Sequence, residues 1–292
     1  MARCARYGTA AAFTVAVIWG LSFVAARMVL STLTPILLAT VRFVIASAIF
    51  APIIIMELRH GNALAFRDLG ELALLGFLSI SIYFWLQYTG VKYAGAGVSA
   101  LLVVGLIPIL TGLASAVLLK ERFSVQKALG TALGLIAVPG LLLEEVDWLF
   151  YLGVASLLLN AVCWALYSTL SRRLMSRIKK PATVTAYVTV LGTLALVPMS
   201  LTSDWGLIAS IRPGQWLSIL YLSTVCSGLG YFLWNYALSK VEAVRAAVWL
   251  YLEPVAAFMG EAAIFGVMPG PATLIGGGAI IIGALLATRS RE

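Results

Sequence analysis

Charge is scarce in this chain: 11% of its 292 residues are Asp, Glu, Lys or Arg, whereas 62% are hydrophobic. Histidine occurs once, at His60, and the three cysteines, Cys4, Cys163 and Cys226, show no pairing pattern. These shortages exclude a soluble globular fold, a disulfide-stapled domain and a histidine- or cysteine-based catalytic centre. The sequence also lacks a metal-ligand cluster and a nucleotide-binding motif, so we expect no metal, no cofactor and no enzymatic activity.

Long apolar segments are what the chain has in excess. A helix needs about 20 predominantly apolar residues to cross a bilayer, and ten such segments lie between clusters of charged and turn-forming residues. The sequence therefore predicts an all-α membrane protein whose ten transmembrane helices use nearly the whole chain. The predicted spans are 8–28, 35–56, 70–90, 97–119, 126–143, 149–170, 182–201, 216–238, 246–266 and 271–288.

The basic residues are distributed unequally between the two ends of these spans. Lys and Arg in short loops stay on the cytoplasmic side of a membrane. If both termini are cytoplasmic, only Arg27, Lys92 and Arg212 of the 20 basic residues lie outside, and Arg42 lies within a span. We therefore expect cytoplasmic termini. This asymmetry explains the net charge of +8, so a lipid bilayer and not a nucleic acid is the expected partner.

The sequence repeats itself at about half its length. AVIWGLSF at 16–23 returns as AVCWALYS at 161–168, and YFWLQY at 83–88 returns as YFLWNY at 231–236. These matches predict two five-helix repeats, residues 1–146 and 147–292, which together form one transport domain. Because five is odd, the second repeat enters the membrane from the opposite side. Inverted repeats of this kind are typical of transporters that alternate access to a central site.

Several of the same stretches resemble a known family. WGLSF in the first span, the VRF stretch in the second, SALLVVGLIPIL at 99–110 and AAVWLYLEPVAAF at 246–258 are similar to the ten-helix EamA-type members of the drug/metabolite transporter superfamily. Within it, the chain resembles the YddG-type exporters of aromatic amino acids. The resemblance implies a bacterial-type inner-membrane exporter of small amphipathic metabolites, with aromatic and other neutral amino acids first. The alternative is a broad or proton-coupled effluxer of hydrophobic cations.

Polar and aromatic side chains within the spans are the candidates for the substrate site. Such groups are costly in hydrocarbon unless they pack together or line a cavity. Repeated amides and phenols suit the ammonium and carboxylate of an amino acid, and tryptophans at membrane depth can stack on an aromatic cargo. The same residue types also serve in plain helix packing and interfacial belts. The candidates are Trp19, Ser22, Ser79, Tyr83, Gln87, Asn160, Trp164, Tyr167, Tyr231, Asn235, Trp249, Tyr251 and Glu253.

Prolines in the fourth and ninth spans predict local helix breaks. Proline lacks a backbone donor and frees a carbonyl of the preceding turn, and such breaks accompany transporter sites. Gly105, Pro108 and Pro254 are therefore candidate hinge or gate residues.

Two carboxylates on the ninth span require a physical reason, because charge is costly inside a bilayer. Glu253 has three open interpretations: it binds a cargo ammonium, it carries a proton, or it pairs with a buried arginine. For Glu261, pairing with Arg27 or Arg42 is favoured.

Overall fold

The computed structural model describes residues 2–61, 64–120 and 147–266, together with residues 268, 270, 271, 275 and 278. Within these residues the chain is helical apart from short connections, and eight helices are long and apolar enough to cross a membrane. The predicted span 126–143 and most of the span 271–288 lie outside the described residues. The described chain is thus an all-helical membrane protein.

We label the eight helices in chain order. The first four are α1 (Ala2–Leu30), α2 (Pro35–Arg59), α3 (Phe66–Ala94) and α4 (Ala96–Leu119). The next three are α5 (Trp148–Ile178), α6 (Pro181–Met199) and α7 (Pro213–Lys240). The last, α8, consists of Ala243–Trp249, a 3₁₀ turn at Leu250–Leu252 and Glu253–Phe265.

Several connections between consecutive described helices are short, and local chemistry sets some of them. The side chain of Thr34 accepts a hydrogen bond from the amide of Leu37 at the start of α2, and Pro35 occupies the first turn, where no intrahelical donor is required. Gly95 alone separates α3 from α4 with a φ of 84°, a conformation that glycine adopts without strain. Short connections keep consecutive helices adjacent in space.

Two helices contain wide turns that the sequence did not predict. Geometry of the π-helical type covers Phe77–Ile82 in α3 and Tyr221–Gly230 in α7, at equivalent places in the two repeats. A π segment adds residues to the turn and shifts the register of the side chains around it. An uninterrupted α-helix would place Thr224 on the same face as Tyr231, yet Thr224 is exposed.

The most extensive packing joins the two halves of the chain. α1 packs on α7 and α8, α2 on α6 and α7, α3 on α5 and α6, and α4 on α5 and α8. If each helix is exchanged with its counterpart in the other half, α1 with α5, α2 with α6, α3 with α7 and α4 with α8, the same set of helix contacts results. The interior of the bundle is therefore built from both halves with an approximate two-fold relation between them.

The outer surface of the bundle is apolar. Large side chains such as Ile55, Leu158, Leu159 and Leu194 are exposed on it. A soluble protein rarely exposes contiguous apolar surface of this extent, whereas acyl chains solvate it well. The fold is therefore consistent only with a bilayer as its solvent.

α3 and α6 approach each other closely where Gly76 faces Gly192. A Cβ atom at Gly76 would lie 2.6 Å from the carbonyl oxygen of Val188 and 2.6 Å from the amide nitrogen of Gly192. Both neighbours are backbone atoms, so neither can rotate away. Small residues permit such close helix contacts in membranes, where packing provides much of the association energy.

We predict that Gly76→Ala lowers the free energy of unfolding by about 1–3 kcal/mol, because the methyl group forces α3 and α6 apart. The matched control is Gly70→Ala in the same helix, where a Cβ atom meets nothing within 4 Å and alanine favours the helix. Thermal unfolding in detergent measures both variants. Equal stability of the two would contradict the close contact.

Candidate functional site

Six aromatic rings from four helices meet in the middle of the bundle. Trp19 of α1 and Trp164 of α5 are in edge-to-face contact, with ring centroids 5.1 Å apart. Tyr83 of α3 lies 4.9 Å from Trp164, and Tyr231 of α7 lies 5.6 Å from Trp19. These four residues are the ones that the sequence repeat pairs. We call the whole group the aromatic centre: Trp19, Tyr83, Trp164, Tyr167, Tyr231 and Trp234.

A cavity of about 20 Å³ lies beside the aromatic centre. A water molecule needs roughly 10–15 Å³ of such space, whereas ligand pockets typically measure about 300–1,000 Å³. The cavity is therefore too small for a metabolite, which fits only when the surrounding helices separate. Seven of the predicted substrate-binding residues line this central cavity: Trp19, Ser22, Tyr83, Gln87, Trp164, Tyr231 and Glu253.

The cation of the central cavity is Arg42, which the sequence suggested only as a partner for a buried glutamate. Its Nε donates to Ser227 Oγ at 2.8 Å and its Nη1 to the Tyr88 hydroxyl at 2.6 Å. The guanidinium lies 4.4 Å from the centroid of the Phe84 ring. No carboxylate pairs with it in the part of the chain that the structure describes. Its position within a membrane span is the signal from which the sequence could have named it as a candidate site residue.

Glu253 lines the same cavity and is 5% exposed. Among the described residues it has no hydrogen-bond or ion-pair partner. The other carboxylate of α8, Glu261, forms an ion pair with Arg27, as favoured from the sequence. The central cavity thus brings together a buried arginine and a buried glutamate, Arg42 and Glu253, that are not paired with each other.

The two amides that the repeat makes equivalent have different surroundings. Asn235 Oδ1 accepts from the Tyr167 hydroxyl at 3.1 Å and from Ser171 Oγ at 2.9 Å, and its Nδ2 donates to Thr185 Oγ1 at 2.8 Å. This network joins α5, α6 and α7. Gln87 Oε1 is buried without a hydrogen-bond partner among the described residues, and Gln87 lines the cavity. Gln87 is therefore available to a ligand, whereas Asn235 is occupied by its neighbours.

Two predicted site residues lie behind the rings and orient them. The backbone carbonyl of Ser79 accepts from the Tyr231 hydroxyl at 2.9 Å, and Asn160 Nδ2 donates to the carbonyl of Tyr83 at 2.7 Å. Both carbonyls are within or next to the π segment of α3. The wide turn of α3 therefore provides acceptors that an ordinary helical turn uses internally.

Three polar atoms in or beside the aromatic centre have no hydrogen-bond partner among the described residues: Asn160 Oδ1, Trp164 Nε1 and Trp234 Nε1. Buried polar groups without a partner are uncommon and require an explanation. Trp164 lines the cavity, so its indole donor can reach a ligand or a water molecule there.

Two other candidates lie away from the cavity. Trp249 packs edge to face on Phe13, with centroids 5.7 Å apart, and neither Trp249 nor Tyr251 is among the lining residues. Of the candidate hinges, Gly105 and Pro108 lie in α4, which is helical throughout its length. The chain before Pro254 instead tightens into a 3₁₀ turn, and Glu253 begins the helical segment that follows.

Two consecutive parts of the sequence, residues 6–143 and 151–289, match the EamA-like transporter family. The chain belongs to this family. It is therefore a membrane transporter and not an enzyme, with a small molecule as its substrate. The two matches coincide with the halves whose helices pack on each other, and the aromatic centre lies between them.

Relatives of this transporter match most of its length. An uncharacterized transporter of Archaeoglobus fulgidus is 31% identical over 94% of this chain and 95% of its own. A probable terminal-alkyne amino-acid exporter of Streptantibioticus cattleyicolor is 27% identical over 76% of this chain and 74% of its own. A crystal structure at 22% identity superimposes with a TM-score of 0.71 over 96% of both chains, a likeness in fold.

The unequal surroundings of the two amides predict unequal mutational effects on this transporter. Asn235→Leu should lower the free energy of unfolding by about 1–2 kcal/mol, because the Tyr167 and Ser171 hydroxyls lose their acceptor and Thr185 Oγ1 loses the donor from the amide. Gln87→Leu should leave stability unchanged or raise it slightly, since the amide oxygen has no partner to lose. Thermal unfolding in detergent compares them. A larger loss for Gln87→Leu would show that the assigned hydrogen bonds are wrong.

Proposed function

We propose that this transporter exports small zwitterionic metabolites, with aromatic and other neutral amino acids first. The observation that carries the proposal is the presence of Arg42 and Glu253 in one cavity without pairing to each other. The carboxylate of an amino acid matches the guanidinium, and its ammonium matches the glutamate. A zwitterion satisfies both charges and brings no net charge into the membrane interior.

The aromatic centre suits the remainder of such a cargo. Indole and phenol faces contact an aromatic or apolar side chain in offset or edge-to-face geometry, worth about 0.5–1.5 kcal/mol beyond burial. Gln87 Oε1, which has no partner among the described residues, adds an acceptor for the ammonium. A relative whose name describes it as an amino-acid exporter supports the same class of cargo.

We propose that cargo crosses by alternating access in a ten-helix architecture, with inverted repeats at residues 1–146 and 147–292. The exchange symmetry of the packing between α1 to α4 and α5 to α8 supports two arrangements of similar energy, one open to each side. The occluded central cavity corresponds to the state between them. The membrane is a bacterial-type inner membrane, and both termini are cytoplasmic.

An effluxer of hydrophobic cations is the rival function, and Glu253 is the observation that favours it. A monovalent cation would pair with Glu253 but would leave Arg42 beside a second positive charge. Like charges in a site of low dielectric repel strongly. Because of this repulsion, we propose zwitterions rather than hydrophobic cations as the cargo.

Transport by proteoliposomes tests the proposal directly. We expect saturable flux of radiolabelled phenylalanine and tryptophan that an imposed pH gradient does not alter. Arg42→Gln and Glu253→Gln should each reduce that flux by about tenfold to a hundredfold, the effect of one lost charged hydrogen bond. Trp249→Phe, outside the cavity, is the matched control and should retain the flux.

A different pattern of transport fluxes would favour cation efflux over amino-acid export. Flux of a hydrophobic cation alone, driven by the pH gradient, lost in Glu253→Gln and retained in Arg42→Gln, would assign the site to proton-coupled cation efflux. Loss of amino-acid flux in the Trp249→Phe control would show that the central cavity is not the determinant.

Reporter fusions test the topology. A fluorescent protein fused after Glu292 should fluoresce, and alkaline phosphatase at the same place should be inactive, because cytoplasmic loops carry the excess of Lys and Arg. Alkaline phosphatase fused after Gly95, between α3 and α4, should be active. Active phosphatase after Glu292 would exclude an even number of spans with cytoplasmic termini.

A further inference from the structure

Charged side chains of the two halves meet at one end of the bundle, the end that the distribution of basic residues assigns to the cytoplasm. Arg177 lies in the last turn of α5, and its Nη2 is 2.6 Å from Asp68 Oδ1 and 2.8 Å from Glu71 Oε2. Both carboxylates belong to the first two turns of α3. One guanidinium therefore bridges the second half of the chain to the first. We call Arg177, Asp68 and Glu71 the cytoplasmic ion cluster.

A second contact at this end also crosses between the halves. Lys180 Nζ at the start of α6 lies 2.8 Å from Glu57 Oε2 near the end of α2. The Thr183 hydroxyl donates to the same carboxylate at 3.2 Å. Charged contacts thus join the halves at two places on the cytoplasmic end.

The equivalent contact at the opposite end of the bundle is uncharged. The repeat that aligns α1 with α5 pairs Arg177 with Thr32, and α7 is the counterpart of α3. Gln215 in the first turn of α7 donates from Nε2 to Thr32 Oγ1 at 2.9 Å. The two repeats therefore make corresponding contacts between helix ends, with charges at the cytoplasmic end and neutral groups at the other.

An ion pair also joins the halves at that opposite end, but it is better shielded from water. Arg27 of α1 pairs with Glu261 of α8, whose side chain is 5% exposed. In the cytoplasmic ion cluster, the side chains of Arg177 and Glu71 are 38% and 37% exposed. Salt screens exposed charges much more than buried ones. Ionic strength should therefore act mainly on the contacts at the cytoplasmic end.

We propose that the cytoplasmic ion cluster is a latch that holds the cytoplasmic side of the central cavity closed. Opening of that side moves the end of α5 away from the start of α3, because these helices belong to different halves. The movement separates Arg177 from both carboxylates. Exposed ion pairs contribute little individually, but small changes in free energy redistribute two states of similar energy. This inference rests on the alternating access proposed above and is independent of the cargo.

Access to the central cavity from each side tests the latch without any cargo. Ser22 lines the cavity, so a Ser22→Cys reporter is introduced into a chain whose three native cysteines are replaced by alanine. Sulfonatoethyl methanethiosulfonate, a small anionic thiol reagent that does not cross membranes, is added to inside-out or right-side-out vesicles. The labelling rate measures how often the cavity opens to the side that carries the reagent.

We expect Arg177→Gln to raise labelling from the cytoplasmic side by about threefold to tenfold, because the closed arrangement loses two ion pairs. Arg177→Lys keeps the charge and should have a smaller effect, whereas Arg177→Glu repels both carboxylates and should have a larger one. Raising the salt concentration from about 0.1 M to about 1 M shortens the screening length from about 10 Å to about 3 Å. Salt should therefore increase cytoplasmic labelling of the reporter chain more than that of its Arg177→Gln variant.

The matched control is Arg67→Gln. Arg67 Nε lies 3.3 Å from Glu71 Oε1 within α3 itself, so this pair does not cross between the halves and its loss should leave both labelling rates unchanged. Thermal unfolding in detergent verifies that each variant is folded.

Two results would overturn the latch alone: an equal rise for Arg67→Gln, or no rise for Arg177→Glu. Alternating access would still stand in either case, provided that labelling occurs from both sides. A reporter that is labelled from neither side under any condition would overturn alternating access and the latch together.

Discussion

Arg42 and Glu253 are buried in the middle of a bundle whose outer surface is apolar, and neither has an ion-pair partner among the residues that the structure describes. An isolated charge in hydrocarbon is costly. Hydrogen bonds from Arg42 to Ser227 and Tyr88 offset part of this cost, whereas Glu253 has no such partner among these residues. The cavity therefore holds a buried acid whose partner the described side chains do not supply.

Part of the aromatic centre lines the same cavity as Arg42 and Glu253, and hydrogen bonds to backbone carbonyls hold two of its rings. Tyr231 and Asn160 donate hydrogen bonds to backbone carbonyls of α3, and Trp19 donates to the carbonyl of Cys226. π segments in α3 and α7 leave such carbonyls accessible in the membrane interior. These hydrogen bonds fix the orientation of Trp19 and Tyr231 beside the cavity.

The two halves share repeated sequence motifs, but the equivalent amides of the two halves form different hydrogen bonds. Asn235 joins α5, α6 and α7 through Tyr167 and two hydroxyl residues, whereas its equivalent Gln87 has no such partners. The residue equivalent to Tyr167 in the first half is Ser22, which is too short to make the same bond and instead donates to the carbonyl of Trp19. One amide therefore joins three helices, whereas the oxygen of the other is buried without a partner among the described residues.

Apolar run length and composition alone determined that this chain is helical and crosses a membrane, because hydrocarbon excludes every other backbone arrangement for such segments. The repeat also paired Trp19 with Trp164, whose rings are in contact, and Tyr83 with Tyr231, which contact Trp164 and Trp19 respectively. Helical periodicity tells which side chains share a face, but not which helix that face meets or where a π turn shifts it. Only the tertiary structure therefore placed Arg42 in the cavity, Asn235 in a network and Trp249 outside.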